Sequence, residues 1–154
     1  MTEALVHDVS WNIDYKFHLG STWSRFLISL RDDKKIIGTT CATCERTYVP
    51  AQAYCESCFE AIETWTEVAP TGTLHTATVT LKSFEGGPEA PYCVAAIKLD
   101  GTDTLFIHHV GGFDLKDPQA VEANLKMGTR VEAVWAENRT GTILDIAHFR
   151  PTAG

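Results

Sequence analysis

Four cysteines form two Cys-x-x-Cys pairs, and they are the residues with the clearest chemistry in this sequence. The pairs are Cys41 with Cys44 and Cys55 with Cys58. Two residues between the cysteines of a pair allow a tight turn to aim both sulfurs at one ion, and two such pairs complete a tetrahedral site that suits zinc. Because the protein then fills all four coordination positions, none remains for water or substrate. The spacing therefore predicts a structural metal site.

Other uses of the four cysteines fit the sequence less well. Disulfides are disfavoured because the N-terminus MTEALVHDVSWN lacks the basic start and apolar stretch of a secretory signal. A redox Cys-x-x-Cys motif would not explain the second pair. Iron in a rubredoxin-like site stays open, since the spacing does not select the metal. The spacing and the expected cytoplasmic location favour zinc.

Self-contained catalysis would need a nucleophile beside a base, and the candidates are Cys93 with His108 or His109. Cys93 lies within YCVAAI, where a small buried thiol is the ordinary outcome. A histidine pair at the end of a strand is more often structural or at the surface than catalytic. The stretches EGGPEAP and VGGF lack the lysine and the strand-to-helix context of a phosphate-binding loop. We therefore expect no catalytic residue in this chain.

Net charge and hydropathy argue against two classes of partner, nucleic acids and membranes. The net charge is −7, whereas a protein that binds phosphate backbones normally presents clustered lysine and arginine. No apolar run approaches the roughly 18 residues that a membrane-spanning helix needs. We therefore expect a cytoplasmic protein that binds neither nucleic acid nor membrane.

The region before the cysteines is predicted to form an extended arm and a helix. The segment SWNIDYKFHLG is rich in aromatic residues, and STWSRFLISLRDDKK follows it with Ser21 and Thr22 as candidate capping residues. An apolar stripe at helical spacing consists of Trp23, Phe26, Leu27 and Leu30. The arm and helix could fold back on their own domain. We expect instead that they cover a partner protein, because a small ribbon cannot bury so many aromatics.

Downstream of the cysteines, Pro70 and Gly72 are expected to interrupt regular secondary structure. After them, apolar residues recur at every second position. Five short segments rich in β-formers follow, with room for a helix ending near Gly128 between the third and fourth. They are TLHTATVTLKSF, YCVAAIKL, TLFIHHV, RVEAVWA and TILDIAHF. The predicted fold is mainly β with an N-terminal helix: a rubredoxin-like zinc ribbon followed by a five-stranded OB-fold barrel. The expected divisions are 1–37 for the arm and helix, 38–66 for the ribbon and 67–154 for the OB-fold domain.

These parts together resemble a known family. The repeated Cys-x-x-Cys, the TGTL entry to the first barrel strand, PYCVAAIKLDG and KMGTRVEAVW resemble the acyl-CoA-associated zinc-ribbon/OB-fold proteins, over about residues 13 to 150. The chain departs from the family pattern with Glu45 where a glycine often stands, and with Pro50 as the one member of a usual proline pair. Family members accompany thiolase-fold enzymes, including acetoacetyl-CoA thiolase, steroid side-chain aldolases and benzoylsuccinyl-CoA thiolase.

The resemblance implies a non-catalytic accessory subunit of a thiolase-type acyl-CoA-processing complex, with structural zinc and with coenzyme A shared with the partner. The thiolase-fold partner would supply the catalytic cysteine and histidines. As the ligand-facing rim we predict Lys82, Phe84 and Tyr92, because aromatic rings suit adenine and a cation suits phosphates; otherwise they are ordinary rim residues. Two alternatives stay open: a nucleic-acid-binding ribbon and barrel module, and an independent CoA-thioester hydrolase that uses Cys93.

Overall fold

A computed structural model describes residues 4–11 and 13–152 of the chain. The helical elements are α1 (Gly20–Ile28), one π-helical turn that prolongs it (Ser29–Asp33), α2 (Pro118–Asn124) and a 3-10 turn (Ile143–Asp145). The strands are β1 (Ile36–Thr40), β2 (Thr47–Tyr48), β3 (Thr64–Val68), β4 (Thr71–Thr80), β5 (Tyr92–Leu99), β6 (Leu105–Val110), β7 (Arg130–Trp135) and β8 (Ile146–Pro151). The predicted fold class is confirmed, with each of the five predicted barrel segments forming one strand.

The strands build two β-structures. A small antiparallel sheet in the order β2-β1-β3 carries the cysteine segment, and a closed barrel follows in the order β4-β5-β6-β8-β7. Within the barrel β6 and β8 pair in parallel, and β4 closes the ring through antiparallel pairing with β7. Alternate residues of β5 point into the barrel, which is why Cys93, Ala95 and Ile97 are buried there.

Helix α1 packs on the protein's own core. Phe26, Leu27 and Leu30 are buried in the same cluster as the barrel residues Leu74 and Phe106. The expectation that this stripe docks on a partner is therefore wrong for these three residues. The alternative, in which the helix folds back on its own domain, is what the structure has.

The predicted caps of α1 are also wrong. The helix begins after Leu19, and no side chain caps its first turn. Instead, the backbone N–H of Gly20 donates to Nδ1 of His18 at 3.0 Å. Gly20 has a φ of 76°, a left-handed conformation that suits glycine, so the chain turns sharply from the arm into the helix here.

The ribbon is joined to the barrel by reciprocal hydrogen bonds. The N–H of Thr47 donates to the Asp103 carboxylate, and the N–H of Asp103 donates to the Thr47 carbonyl, each at 2.8 Å. Next to them, the Thr104 hydroxyl accepts from the Val49 N–H at 3.0 Å and donates to the Val49 carbonyl at 2.9 Å. These bonds fix the second ribbon strand against the turn between β5 and β6.

The described arm, residues 4–11 and 13–19, lies outside every helix and strand. Within the part of the chain that the structure describes, neither α-helix has the length and apolarity that crossing a membrane requires.

Burial of α1 in the shared core generates a stability prediction. Leu30→Ala should lower the free energy of unfolding by about 2–5 kcal/mol, because Leu30 is fully buried and its removal leaves a cavity. Ile28→Ala is the matched control: Ile28 is 46% exposed on the same helix, so its change should stay within about 0.5 kcal/mol. Urea unfolding of the zinc-loaded protein measures both. Equal, small losses would mean that α1 does not belong to this core.

Candidate functional site

The four paired cysteines converge. The Sγ atoms of Cys41, Cys44, Cys55 and Cys58 all lie within 4.8 Å of one another, and those of Cys41 and Cys58 are 3.6 Å apart. Four zinc–sulfur bonds of about 2.3 Å in a tetrahedron place the sulfurs about 3.8 Å apart. The cluster therefore fits a zinc ion with the protein filling every coordination position.

The two cysteine turns share one backbone geometry. The N–H of Glu45 donates to the Cys41 carbonyl, and the N–H of Phe59 donates to the Cys55 carbonyl, each at 2.9 Å. Glu45 and Phe59 have φ values of 54° and 62°. This left-handed conformation is strained for a residue with a Cβ atom, which explains why glycine suits the position that Glu45 occupies.

Hydrogen-bond donors surround the sulfurs. The fully buried Tyr48 hydroxyl lies 3.2 Å from Sγ of Cys55, and the N–H groups of Cys44 and Ser57 lie 3.4 Å from Sγ of Cys41 and Cys55. The Tyr48 hydrogen bond favours the thiolate and lowers the pKa of Cys55 to about 6. A side-chain hydrogen bond with Cys58, together with burial, raises the pKa of Cys44 to about 12.

Sequence reasoning missed Tyr48. Tyr48 lies seven positions before Cys55, and no ligand motif contains that spacing. Tyr48 ends the short strand β2, and the pairing of β2 with β1 carries its ring into the small ribbon core. The contact between the Tyr48 hydroxyl and the Cys55 sulfur therefore depends on the folding of the ribbon.

Cys93 does not form a dyad with either histidine. It is buried inside the barrel, and this burial raises the pKa of its thiol to about 11, so the thiol is protonated at neutral pH. Nδ1 of His108 accepts the His109 N–H at 2.8 Å, and its Nε2 lies 3.1 Å from the Ile143 carbonyl. The tautomer protonated on Nε2 satisfies both contacts. Nδ1 of His109 lies 3.3 Å from the carbonyl oxygen of Cys93 rather than from its sulfur.

The predicted rim residues lie at one end of the β4–β5 hairpin. Lys82 and Phe84 are exposed in its connecting loop, and the Phe84 ring covers Gly87 so closely that a Cβ there would lie 2.4 Å from it. Tyr92 begins β5, and its ring meets the His109 ring edge-on with centroids 5.9 Å apart. A role for the three in ligand binding stays a prediction.

Two cavities adjoin the start of α1. A cavity of about 380 Å³ lies between residues 19–23 and the ribbon residues 51–54. A second cavity of about 330 Å³ is bounded by Phe17, His18, Leu19 and Trp23. Trp23 and Tyr54 are both exposed there. The arm and the ribbon thus share one apolar surface.

The cysteine cluster predicts one bound zinc per chain. Cys55→Ser should lose the metal and unfold the ribbon, because three thiolates cannot close the tetrahedron. Cys93→Ser is the control and should keep one zinc, since Cys93 lies in the barrel interior. Elemental analysis with circular dichroism measures both. Full metal in Cys55→Ser, or lost metal in Cys93→Ser, would contradict the assignment.

The buried His108 predicts a pH-dependent stability. Burial lowers its pKa below the ordinary value of about 6.5, so its contribution is present above that pH and is lost as the pH falls towards the folded-state pKa. His108→Phe should be less stable at pH 7.5, because two hydrogen bonds are lost, yet flatter between pH 7.5 and 5.5. Comparing zinc-loaded variants by urea unfolding cancels the metal's own pH dependence. His75→Gln, changed at an exposed residue of β4, should keep the wild-type slope. An unchanged slope in His108→Phe would refute this.

Comparison with known proteins finds two domains of one family. A profile of the ChsH2 rubredoxin-like zinc ribbon domain matches residues 29–63, and a profile of the ChsH2 C-terminal OB-fold domain matches residues 65–136. No curated protein matches the chain.

Solved structures similar in fold include the following two. The structure titled Ltp2-ChsH2(DUF35) aldolase is 18% identical, with a TM-score of 0.64 over 88% of this chain and 98% of that one. A DUF35-family protein of unknown function from Sulfolobus solfataricus is 24% identical, with a TM-score of 0.60 over 86% of this chain and 84% of that one. Since the two profiles cover most of the chain in the ribbon-then-barrel order of its structure, the chain belongs to the ChsH2-like family of zinc-ribbon and OB-fold proteins.

Proposed function

We propose that this protein is a non-catalytic, zinc-binding accessory subunit of a thiolase-type complex that processes acyl-CoA. The observation that carries the proposal is the arm before α1, which exposes large apolar side chains although the protein's own core is already complete. Those at least 60% exposed are Leu5, Val6, Val9, Trp11, Ile13, Tyr15 and Phe17. Large exposed apolar side chains grouped in one segment are typical of a protein–protein interface.

The absence of an assembled active site in the described residues supports an accessory role. The cysteine cluster leaves no coordination position for substrate, and Cys93 is a buried, protonated thiol. Both ring nitrogens of His108 are engaged by backbone groups. In this proposal the catalytic cysteine and histidines belong to the partner.

Membership in the ChsH2-like family supports the proposal that this chain assembles with a different protein. The similar Ltp2-ChsH2(DUF35) structure is titled an aldolase and names two proteins. This chain matches both ChsH2 domains, and its sequence resembles subunits that accompany thiolase-fold enzymes. We infer an equivalent partnership here, with a thiolase-fold catalytic subunit.

Zinc has a positioning role in this proposal. Bound by the four cysteines, it would hold the ribbon, which hydrogen-bonds to the barrel through Thr47 and Asp103. Since α1 is part of the barrel's core, the base of the arm is held at a fixed place relative to the β4–β5 loop. A partner held by the arm would then meet that loop in one orientation. Lys82, Phe84 and Tyr92 are our candidates for contact with coenzyme A.

The two alternatives gain little support from the described residues. The outer face of β5 and β6, the face with which OB barrels bind oligonucleotides, carries Val94 and Ile107 with a single exposed lysine, Lys98, rather than a basic cluster. An independent thioester hydrolase would need Cys93 as an accessible thiolate, which its burial and raised pKa oppose.

The proposal predicts that this chain alone turns over no acyl-CoA and that the complex does. The measurement is acyl-CoA cleavage by coenzyme A with each subunit alone and with the two mixed, after the native complex is purified and its partner identified. Misplacing a reacting group by about 1 Å can cost about a hundredfold in rate, so even a positioning role should be measurable. Cys93→Ala in the assembled complex should keep activity within a few-fold. Turnover by this chain alone, or a large loss in Cys93→Ala, would restore the hydrolase alternative.

A further inference from the structure

The arm carries a strict alternation of apolar and polar residues. From position 9 to position 19 the odd-numbered residues are Val9, Trp11, Ile13, Tyr15, Phe17 and Leu19, and the even-numbered ones are Ser10, Asn12, Asp14, Lys16 and His18. A period of two predicts a β-strand with one buried face, whereas the stripe of α1 has the helical period. The arm is therefore patterned as a strand.

The structure leaves this strand pattern without a sheet. The described residues among 9–19 are assigned to neither strand nor helix, and they take part in none of the pairings of the two β-structures. The rings of Tyr15 and Phe17, two residues apart, lie with centroids 6.1 Å apart. This contact fits neighbours on one face of an extended chain.

An exposed, unpaired segment with this strand pattern is prone to aggregate. Valine, isoleucine and aromatic residues favour strands, the charges of Asp14 and Lys16 cancel, and no proline interrupts residues 9–19. Natural proteins protect such edges with charge, proline or covering structure. Among its described residues the arm has no covering structure, and the two charges within residues 9–19, on Asp14 and Lys16, lie on the even-numbered face, so its pattern suits a segment that pairs with another sheet.

We propose that residues 9–19 add as a β-strand to an exposed sheet edge of the catalytic subunit, with the odd-numbered residues packed in an apolar groove beside that edge. The proposal rests on the proposed function, because that subunit supplies the edge. Eleven residues of strand span about 36 Å. The three aromatic residues on the odd face can each bury roughly 150–250 Å². Together they would supply much of the ~800 Å² that each partner contributes to a standard interface.

The geometry at the base of the arm fits this mode. The strand pattern ends at Leu19, where the hydrogen bond from Gly20 to His18 and the positive φ of Gly20 turn the chain into α1. Because α1 is fixed in the core, the added strand would leave the protein from one defined point. The cavity beside Phe17 and Trp23 lies at that point and offers a socket for a side chain of the partner.

Two double variants with the wild-type amino-acid composition distinguish binding as a β-strand from binding by hydrophobicity alone. Exchanging Ile13 with Asp14 (Ile13→Asp with Asp14→Ile) breaks the alternation, because it moves a charge to the buried face and an apolar residue to the exposed one. Exchanging Ile13 with Tyr15 (Ile13→Tyr with Tyr15→Ile) keeps the alternation and serves as the matched control. With the catalytic subunit isolated from the native complex, the first exchange should raise Kd by at least about tenfold and the second by less than about threefold.

Hydrogen exchange supplies the second readout. In a strand added to one edge, the N–H groups of alternate residues pair with that edge while those between them face away. The complex should therefore protect every second amide between residues 9 and 19. The isolated full chain gives the exchange baseline. A chain lacking residues 1–19 is the binding control, because it should keep zinc and fold but lose the partner. The deletion stops there because Phe26, Leu27 and Leu30 belong to the core.

Each outcome decides between the two proposals. If no acyl-CoA enzyme co-purifies with the chain, the proposed function fails and the strand proposal fails with it. If the complex forms but responds equally to the two exchanges, or protects the arm without a period of two, only the strand proposal is wrong. Alternate protection in the isolated chain together with a dimer would mean that the arm pairs with a second copy, which also overturns addition to the partner.

Discussion

The convergence of four cysteine sulfurs within 4.8 Å is the constraint on which the rest of the structure depends. The buried core of the ribbon consists of Cys41, Tyr48, Cys55 and Ile62, which is too little apolar volume to hold a chain segment in place. A metal ion that joins the two cysteine turns would supply the missing cross-link. The Tyr48 hydroxyl, which contacts the Cys55 sulfur, connects that cross-link to the ribbon core.

The ribbon is attached to both the barrel and α1. Its β2 strand is hydrogen-bonded to the turn between β5 and β6, and its β1 strand follows α1, whose buried face completes the core shared with the barrel. Ribbon, helix and barrel therefore act as one body, and the arm leaves that body at Gly20. The exposed apolar side chains of the arm therefore lie outside the helices and strands of the protein.

Chemistry and assembly are separated in this molecule. Cys93, the candidate nucleophile, is a buried thiol, and both ring nitrogens of His108, a candidate base, contact backbone groups. The large apolar side chains that remain exposed lie mainly on the arm, with others at the start of α1, on the ribbon and on the barrel. This division is what an accessory subunit requires, since such a subunit positions a partner and leaves the bonds to be broken by that partner.

The sequence by itself determined the metal site and the barrel strands, because cysteine spacing and a period of two are local properties. The same period in the arm forms no strand, since a strand also needs a neighbouring edge with which to pair. The sequence does not show which surface covers an apolar helix face. The stripe of Phe26, Leu27 and Leu30 shows that α1 is amphipathic, but only the position of the barrel shows that the covering surface belongs to the same chain. Likewise, alternation places His108 and His109 on opposite faces of β6, and closure of the barrel decides that His108 is the one inside. Tyr48 meets Cys55 because β2 pairs with β1, a contact between residues that no sequence motif joins.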